Sequence, residues 1–389
     1  MRREIIVILK RHFIRDYACY AHALIALHDY RVRGVLVNVA DDVARLINDV
    51  KTVFVGFGNV GRHLVIEVAR SSLPVRVCGV LSSRGGVIVV DDDSLHALIR
   101  LAERGLKLNL HRGFREGLSL DELLDVVEPE LAFVTIPPSY DTGEPNLSIY
   151  RKLIERGVSI ITSDKTGLAM DYQGLVGGAL RKGLFLGYRA TVAAGTPAID
   201  FVRGLRGRRV EVLRGVLNST TNYILTLVEK GMGYEQAIRK AVEEKVAEPD
   251  PRIDVEGLDA AAKISILSSE LGYTTSIRDV ERTPLTSIGE EDVRGSVKRG
   301  LRVRYVAETR PAGRPRVYPA ILGEDDPLYR VVGMRNAVSA VVEGEKITVE
   351  GPAGPAWRTA KTMITDLIDY LYSTRYPGAG TLHFYSRDE

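Results

Sequence analysis

Residues 51–61 read K-T-V-F-V-G-F-G-N-V-G, a β-branched run that passes directly into a Gly56-x-Gly58-x-x-Gly61 turn and then into an apolar-periodic helical stretch. The three glycines answer three demands of a dinucleotide site. Gly56 permits the tight turn, Gly58 lets the backbone approach a pyrophosphate, and Gly61 allows helix and strand to pack closely. The helix that follows offers unpaired N–H groups and a partial positive charge to the phosphates. Phe57, Asn59 and Val60 complete the expected cofactor loop.

Onward from this turn to about Gly187, short β-branched runs alternate with helical ones, with strands at 52–55, 75–81, 131–136 and 159–162 and helices at 60–70, 94–104 and 149–156. Strand followed by helix, repeated, predicts an α/β chain with a Rossmann-type doubly wound parallel sheet. Beyond it the strands lengthen (211–217, 302–309) and helical periods recur at 221–230, 234–244 and 255–271. That change predicts a second, α+β domain carrying the substrate groups. Residues 360–372 form a last amphipathic stretch expected to return to the first domain. The expected organisation is an N-terminal extension of unknown role (1–50), a dinucleotide-binding domain (51–187), a substrate-binding and catalytic domain (188–340) and a C-terminal segment (341–389).

Bulk properties narrow the class. The 389 residues suffice for two domains with separate cores, and 45% hydrophobic with 26% charged residues is an ordinary globular composition. A net charge of +3, with basic residues spread along the chain, argues against a nucleic-acid partner. No apolar run reaches the roughly 20 residues that cross a bilayer. The first apolar stretch, residues 5–9, is cut by Lys10 and Arg11, too short for a signal peptide. A cytoplasmic enzyme with no membrane partner is expected. Cys19 and Cys78 lack any CxxC or metal-ligand spacing, so neither a disulfide nor a zinc site is expected.

The second strand ends in Ser82, Ser83 and Arg84, where NAD-specific sites place a carboxylate for the ribose. A guanidinium there favours the extra phosphate of NADP, with Lys107 a helper; the alternatives are NAD and an Arg84 that is simply a solvated turn residue. Thr135, opening T-I-P-P at 135–138, falls at the carboxyl edge of a later strand, where cofactor or substrate is expected, a plain loop being the alternative.

Four further segments carry polar groups. Residues 161–169, I-T-S-D-K-T-G-L-A, end a strand in a turn that points Lys165 into a cleft. Residues 190–197, A-T-V-A-A-G-T-P, are small enough to expose backbone, and 217–225, L-N-S-T-T-N-Y-I-L, offer Ser219 or Thr220 as a helix N-cap. In 247–267, A-E-P-D-P-R-I-D-V-E-G-L-D-A-A-A-K-I-S-I-L, the prolines put Glu248 and Asp250 in a loop. Asp259 and Lys263 then share one helix face, four residues apart, among Leu258, Ala262, Ile266 and Leu267. A lysine on such a face either snorkels outward or serves a purpose; an ordinary surface pair is the alternative.

These stretches, in order, resemble the motifs of homoserine dehydrogenases from about residue 51 to the end, including G-M-R-N-A-V at 333–338 and G-P-A-G-P followed by Thr359 and Ala360. The chain is similar to the short monofunctional form, without the aspartate kinase region or the regulatory (ACT) domain of some members. The resemblance implies NAD(P)-dependent interconversion of L-homoserine and L-aspartate 4-semialdehyde, in threonine and methionine biosynthesis, by a homodimer assembled through the second domain. It implies that Lys263 and Lys165 are the catalytic lysines, Lys165 also bordering the cofactor, with Asp259 orienting Lys263. Glu248 and Asp254 would hold the substrate amino group, with Thr220 beside them. Oxidising an alcohol needs a base, and a lysine serves only where a second cation and desolvation bring it toward neutrality.

Three departures from the family pattern stand out. Arg189 replaces a glutamate that, with nearby backbone carbonyls (here Val192, Ala194 and Thr196), binds a monovalent cation, so that site is doubted and a guanidinium is expected in its stead. Lys245, Val246 and Ala247 stand where members have G-Y-x, removing a tyrosine, and Ser219 replaces a glycine. Two rival readings remain: a noncatalytic nucleotide-binding paralogue with a regulatory role, and an acylating semialdehyde dehydrogenase. The latter needs a nucleophilic cysteine, which neither Cys78, inside a strand, nor Cys19, outside the matched region, supplies.

Overall fold

Val50–Val55 is β1, buried along nearly its whole length as the centre of a parallel sheet requires. The computed structural model describes residues 49–375 except 249; most of the N-terminal extension, with Cys19, lies outside the described residues. After β1 come α1 (Asn59–Arg70), β2 (Val75–Ser82), β3 (Gly85–Ile88), α2 (Asp92–Glu103), β4 (Phe114–Glu116), α3 (Leu120–Val127), β5 (Leu131–Val134), α4 (Asn146–Glu155), β6 (Ser159–Thr162), α5 (Thr166–Arg181) and β7 (Leu186–Gly187). The strands form a seven-stranded sheet in the order β4-β3-β2-β1-β5-β6-β7. The run from β2 to β7 is parallel. Strand order reverses at β1, so the crevice beyond the ends of β1 and β5 is the switch point at which ligands bind such sheets.

The β3–β4 edge is antiparallel, a feature that the alternation of strand and helix does not predict. Its strands span Gly85–Ile88 and Phe114–Glu116, too short to show a period.

The second region contains α6 (Ala198–Arg203), β8 (Val210–Val216), α7 (Ser219–Glu229), α8 (Tyr234–Glu243), α9 (Arg252–Val255), α10 (Leu258–Glu270), β9 (Glu281–Arg282), α11 (Glu290–Lys298), β10 (Arg302–Thr309), β11 (Arg316–Leu322), β12 (Arg335–Val342) and β13 (Glu345–Pro352). Its six strands lie in the order β13-β12-β8-β10-β11-β9, antiparallel except for the β11–β9 pair. Apolar residues of α7 and α10, among them Ile224, Leu225, Ile264 and Leu267, join strand residues Leu213, Val303 and Val338 in one core. The last helix, α12 (Ala356–Arg375), places Ala360, Met363, Leu367 and Leu371 at helical spacing against Leu64, Val65 and Val68 of α1.

The stretch 255–271, expected as one helix, is broken. Gly257 sits at φ +81, and a Cβ there would fall 2.3 Å from the Tyr305 hydroxyl, so only glycine fits. The break decides where the acids go. On an unbroken helix, residues five apart point about 140° away from each other, yet Asp254 and Asp259 both bond one amide, that of Asn218.

Candidate active site

Strand β8 delivers the chain to Asn218, whose side chain caps α7 by accepting from the Thr221 amide at 2.8 Å. The cap is therefore Asn218, neither Ser219 nor Thr220, which lie in the first helical turn. The same side chain donates to Asp254 Oδ1 at 2.6 Å and to Asp259 Oδ2 at 2.8 Å. An amide has an acceptor and two donors, so one residue fixes the helix and two carboxylates together. The Thr220 hydroxyl turns the other way, donating to the Val246 carbonyl at 3.1 Å and tying down the loop that carries Glu248. Glu248 itself is exposed and pairs with no cation among the described residues.

Asp259 is the hub. Lys263, one turn later on α10, contacts Asp259 Oδ2 at 2.6 Å and donates to the Leu217 carbonyl at 2.7 Å. Lys165, between β6 and α5, reaches Asp259 Oδ1 at 3.5 Å. The lysine side chains are only 13% and 22% exposed. A loop of the first sheet and a helix of the second region thus bring two ammonium groups to one carboxylate. Burial pushes the Asp259 carboxyl up, but the charges of Lys263 and Lys165 and the hydrogen bonds from Lys263 and Asn218 outweigh it and hold it at about 2. Burial, then the Asp259 charge, push Asp254 up to about 6 against the Asn218 hydrogen bond.

Sequence reasoning passes over Asn218, Asp164, Tyr140 and Arg62. Asn218 carries a signal, since asparagine is a strong N-cap residue. Tyr140 carries none, being brought near the cluster by folding, and Asp164 only its place directly before Lys165.

At the glycine turn, a Cβ added to Gly58 would meet nothing within 4 Å, so bare backbone faces open space there. At Gly56 and Gly61 a Cβ would strike Thr135 or the Gly56 carbonyl. Thr135 closes this corner, its hydroxyl donating to the Gly56 carbonyl at 3.1 Å and its amide to the Val55 carbonyl at 2.8 Å. Phe57 is buried and Val60 packs on the same core. Asn59 accepts from Arg62 at 2.7 Å, placing a guanidinium in the first turns of α1. Arg84 and Lys107 are exposed, with no ion pair for Arg84 among the described residues. Open backbone, helix N-terminus and available cations fit a nicotinamide dinucleotide.

The segment after β7 does not fit a monovalent cation. Arg189 reaches Asp200 at 2.8 Å, Asp366 at 2.6 Å and Asp369 at 2.7 Å. Of the candidate carbonyls, that of Ala194 accepts from the Thr362 hydroxyl and that of Thr196 from the Ala198 amide. Fixed positive charge serves the neighbouring carboxylates, and internal donors serve two of the three candidate carbonyls. Cys78 is buried in β2.

Residues 197–368 match the family profile described as homoserine dehydrogenase. A homoserine dehydrogenase of Sulfurisphaera tokodaii is 32% identical over 324 residues, covering 82% of this chain and 97% of that protein. An NAD(+)-dependent homoserine dehydrogenase of Pseudomonas canavaninivorans is 29% identical over 339 residues, covering 83% and 96%. A hyperthermophilic archaeal homoserine dehydrogenase solved in complex with NADPH superposes with a TM-score of 0.72 at 26% identity, covering 85% of this chain and 99% of that one. The chain therefore belongs to the homoserine dehydrogenase family and is an NAD(P)-dependent oxidoreductase.

Proposed function

We propose that this chain interconverts L-homoserine and L-aspartate 4-semialdehyde at the Lys165–Asp259–Lys263 cluster, using NADP in preference to NAD. The observation that carries the assignment is the single buried carboxylate holding two lysines. An ammonium has three N–H donors, and Lys263 has directed two of its own at Asp259 and the Leu217 carbonyl. The third is left for the substrate oxygen, which makes Lys263 the group that gives a proton to the aldehyde oxygen or, when neutral, takes it from the alcohol. Lys165 supplies the second positive charge against which alkoxide character develops. Asp254, with Glu248 from the flanking loop, receives the substrate ammonium, and Thr220 holds that loop in place. The nicotinamide, when bound, supplies or accepts the hydride; Gly56, Phe57, Gly58, Asn59, Val60, Gly61 and Thr135 would hold the dinucleotide, with Arg84 at its ribose phosphate. A noncatalytic paralogue would have no need of two cations on one buried acid. A homodimer and a cytoplasmic location complete the proposal; no helix among the described residues is long and apolar enough to cross a membrane.

The test is the initial rate with homoserine, read by nicotinamide absorbance with each cofactor. Turnover is expected with NADP, and Arg84→Ala should raise the KM for NADP about tenfold, the size of a lost charge-assisted hydrogen bond, leaving that for NAD unchanged. No turnover with either cofactor, despite nucleotide binding, would favour the paralogue. Equal effects of Arg84→Ala on both cofactors would remove Arg84 from the phosphate site.

A second expectation concerns cations. Since Arg189 supplies the positive charge among Asp200, Asp366 and Asp369, exchanging sodium or potassium for tetramethylammonium at fixed ionic strength should leave the rate within about twofold, below the effect of one typical hydrogen bond. Saturable activation by sodium would show that a cation site persists.

A further inference from the structure

The loop after β5 is fastened to the N-terminal turn of α5. The Ser139 amide donates to the Thr166 hydroxyl at 2.9 Å, and Asn146 donates to the Pro137 carbonyl at 2.9 Å and to the Thr166 hydroxyl at 3.3 Å. Within the loop, the Ser139 hydroxyl donates to the Glu144 carbonyl at 2.7 Å and the Gly143 amide to the Ser139 carbonyl at 3.0 Å. Tyr140 follows Ser139 directly, so it is carried toward the turn that precedes Thr166, where the charge of Asp164 acts on its hydroxyl.

Its ring packs against the core shared by α5 and the second region, yet its hydroxyl is buried with no hydrogen-bond partner among the described residues. Asp164 Oδ2 is in the same condition. Asp164 spends its other oxygen on the Thr166 amide at 3.0 Å. Burial raises the phenol well above its ordinary range, and the charges of Asp259, Asp164 and Asp254 push it in the same direction, so it is a proton-bearing donor within the field of the catalytic acids. A buried donor without an acceptor is costly and rare in folded proteins. Here a buried hydroxyl is left open among the charges of Asp259, Asp164 and Asp254, and the lysine–aspartate contacts do not use it. Such a donor is complementary to something that arrives from solution and brings its own oxygen.

We propose that the Tyr140 hydroxyl is a substrate-binding donor, giving a hydrogen bond to an oxygen of the bound amino-alcohol or aldehyde from the nucleotide side of the cleft. The proposal rests on the placement of the substrate at the Lys165–Asp259–Lys263 cluster. It adds a contact from a loop of the first sheet, so that recognition draws on both regions of the chain.

Tyr140→Phe keeps the ring and removes only the unpartnered oxygen. Because no internal bond is lost, its Tm without substrate should equal or exceed that of the parent. Its kcat/KM for homoserine should fall about tenfold, the scale of one hydrogen bond. The rise in Tm that homoserine gives the NADP complex should shrink, while the fluorescence-measured Kd for NADPH stays unchanged. A lowered Tm with unchanged kcat/KM would identify a purely structural hydroxyl, and parent-like values throughout would equally overturn the proposal. If the parent itself neither turns over homoserine nor is stabilised by it, the substrate assignment fails instead, so the two failures are told apart.

Discussion

Lys263→Met should lower kcat for homoserine by about 10²–10⁴-fold, the range over which a positioned proton-transfer group acts, with nucleotide binding retained. Lys263 is part of a buried arrangement, and removing one partner of a buried ion pair often unfolds a protein by stranding the other charge. Here the stranded charge keeps company. Asp259 would still accept from Asn218 at 2.8 Å and lie 3.5 Å from Lys165, and methionine fills most of the lysine stem's volume. The Leu217 carbonyl loses its 2.7 Å donor, so some loss of Tm is expected, without collapse. The measurements are kcat and KM with homoserine, the Kd for NADPH by fluorescence, and Tm. Because Lys165 and Lys263 converge on one acid, Lys165→Met should cost nearly as much, and the double variant little more than either alone, as for groups that act as a unit. A kcat within about threefold of the parent, well short of the loss a proton-transfer group causes, would end the assignment of proton transfer to Lys263.

Much of this arrangement is legible before folding because it is written in local terms. The glycine turn lies between a strand and a helix that each show their own period, and the 302–309 strand coincides with Arg302–Thr309. Asp259 and Lys263 are neighbours by helical geometry alone, and their 2.6 Å contact needs nothing from elsewhere. What is not legible depends on distant partners. At the helix break, the need for glycine at 257 comes partly from Tyr305, from β10, whose hydroxyl stands where a Cβ would be. Asn218 joins Asp254 to Asp259 only because that break exists. Tyr140 comes to the site because Ser139 finds Thr166, 27 residues on. In the same way Arg189 is legible as a departure, whereas its partners Asp366 and Asp369 stand on the last helix, remote in sequence.

Gly61→Ala is expected to disable the cofactor site by a route that Gly58→Ala does not share. At Gly61 a Cβ would lie 2.3 Å from the Gly56 carbonyl oxygen and 2.7 Å from the Thr135 hydroxyl. Neither neighbour is free to retreat. The Gly56 amide is bonded to the Leu81 carbonyl at 2.9 Å, its carbonyl accepts from Thr135 at 3.1 Å, and its φ of +113 is already one that only glycine holds easily. The helix must move instead, and α1 is itself pinned by Leu64, Val65 and Val68 against α12. Strain is thus shared between core and turn, costing about 1–3 kcal/mol of stability. It also draws the helix N-terminus away from the pyrophosphate, raising the Kd for NADPH by at least about tenfold, since several backbone N–H contacts of order 1 kcal/mol each are disturbed together. Gly58 has open space around it, so Gly58→Ala should leave Tm unchanged while still weakening NADPH, because its methyl group occupies the path by which phosphate approaches the backbone. Equal Tm for Gly61→Ala and the parent would mean that helix and strand are less tightly apposed than these distances require, and parent-like NADPH affinity in Gly58→Ala would place the pyrophosphate elsewhere than on this turn.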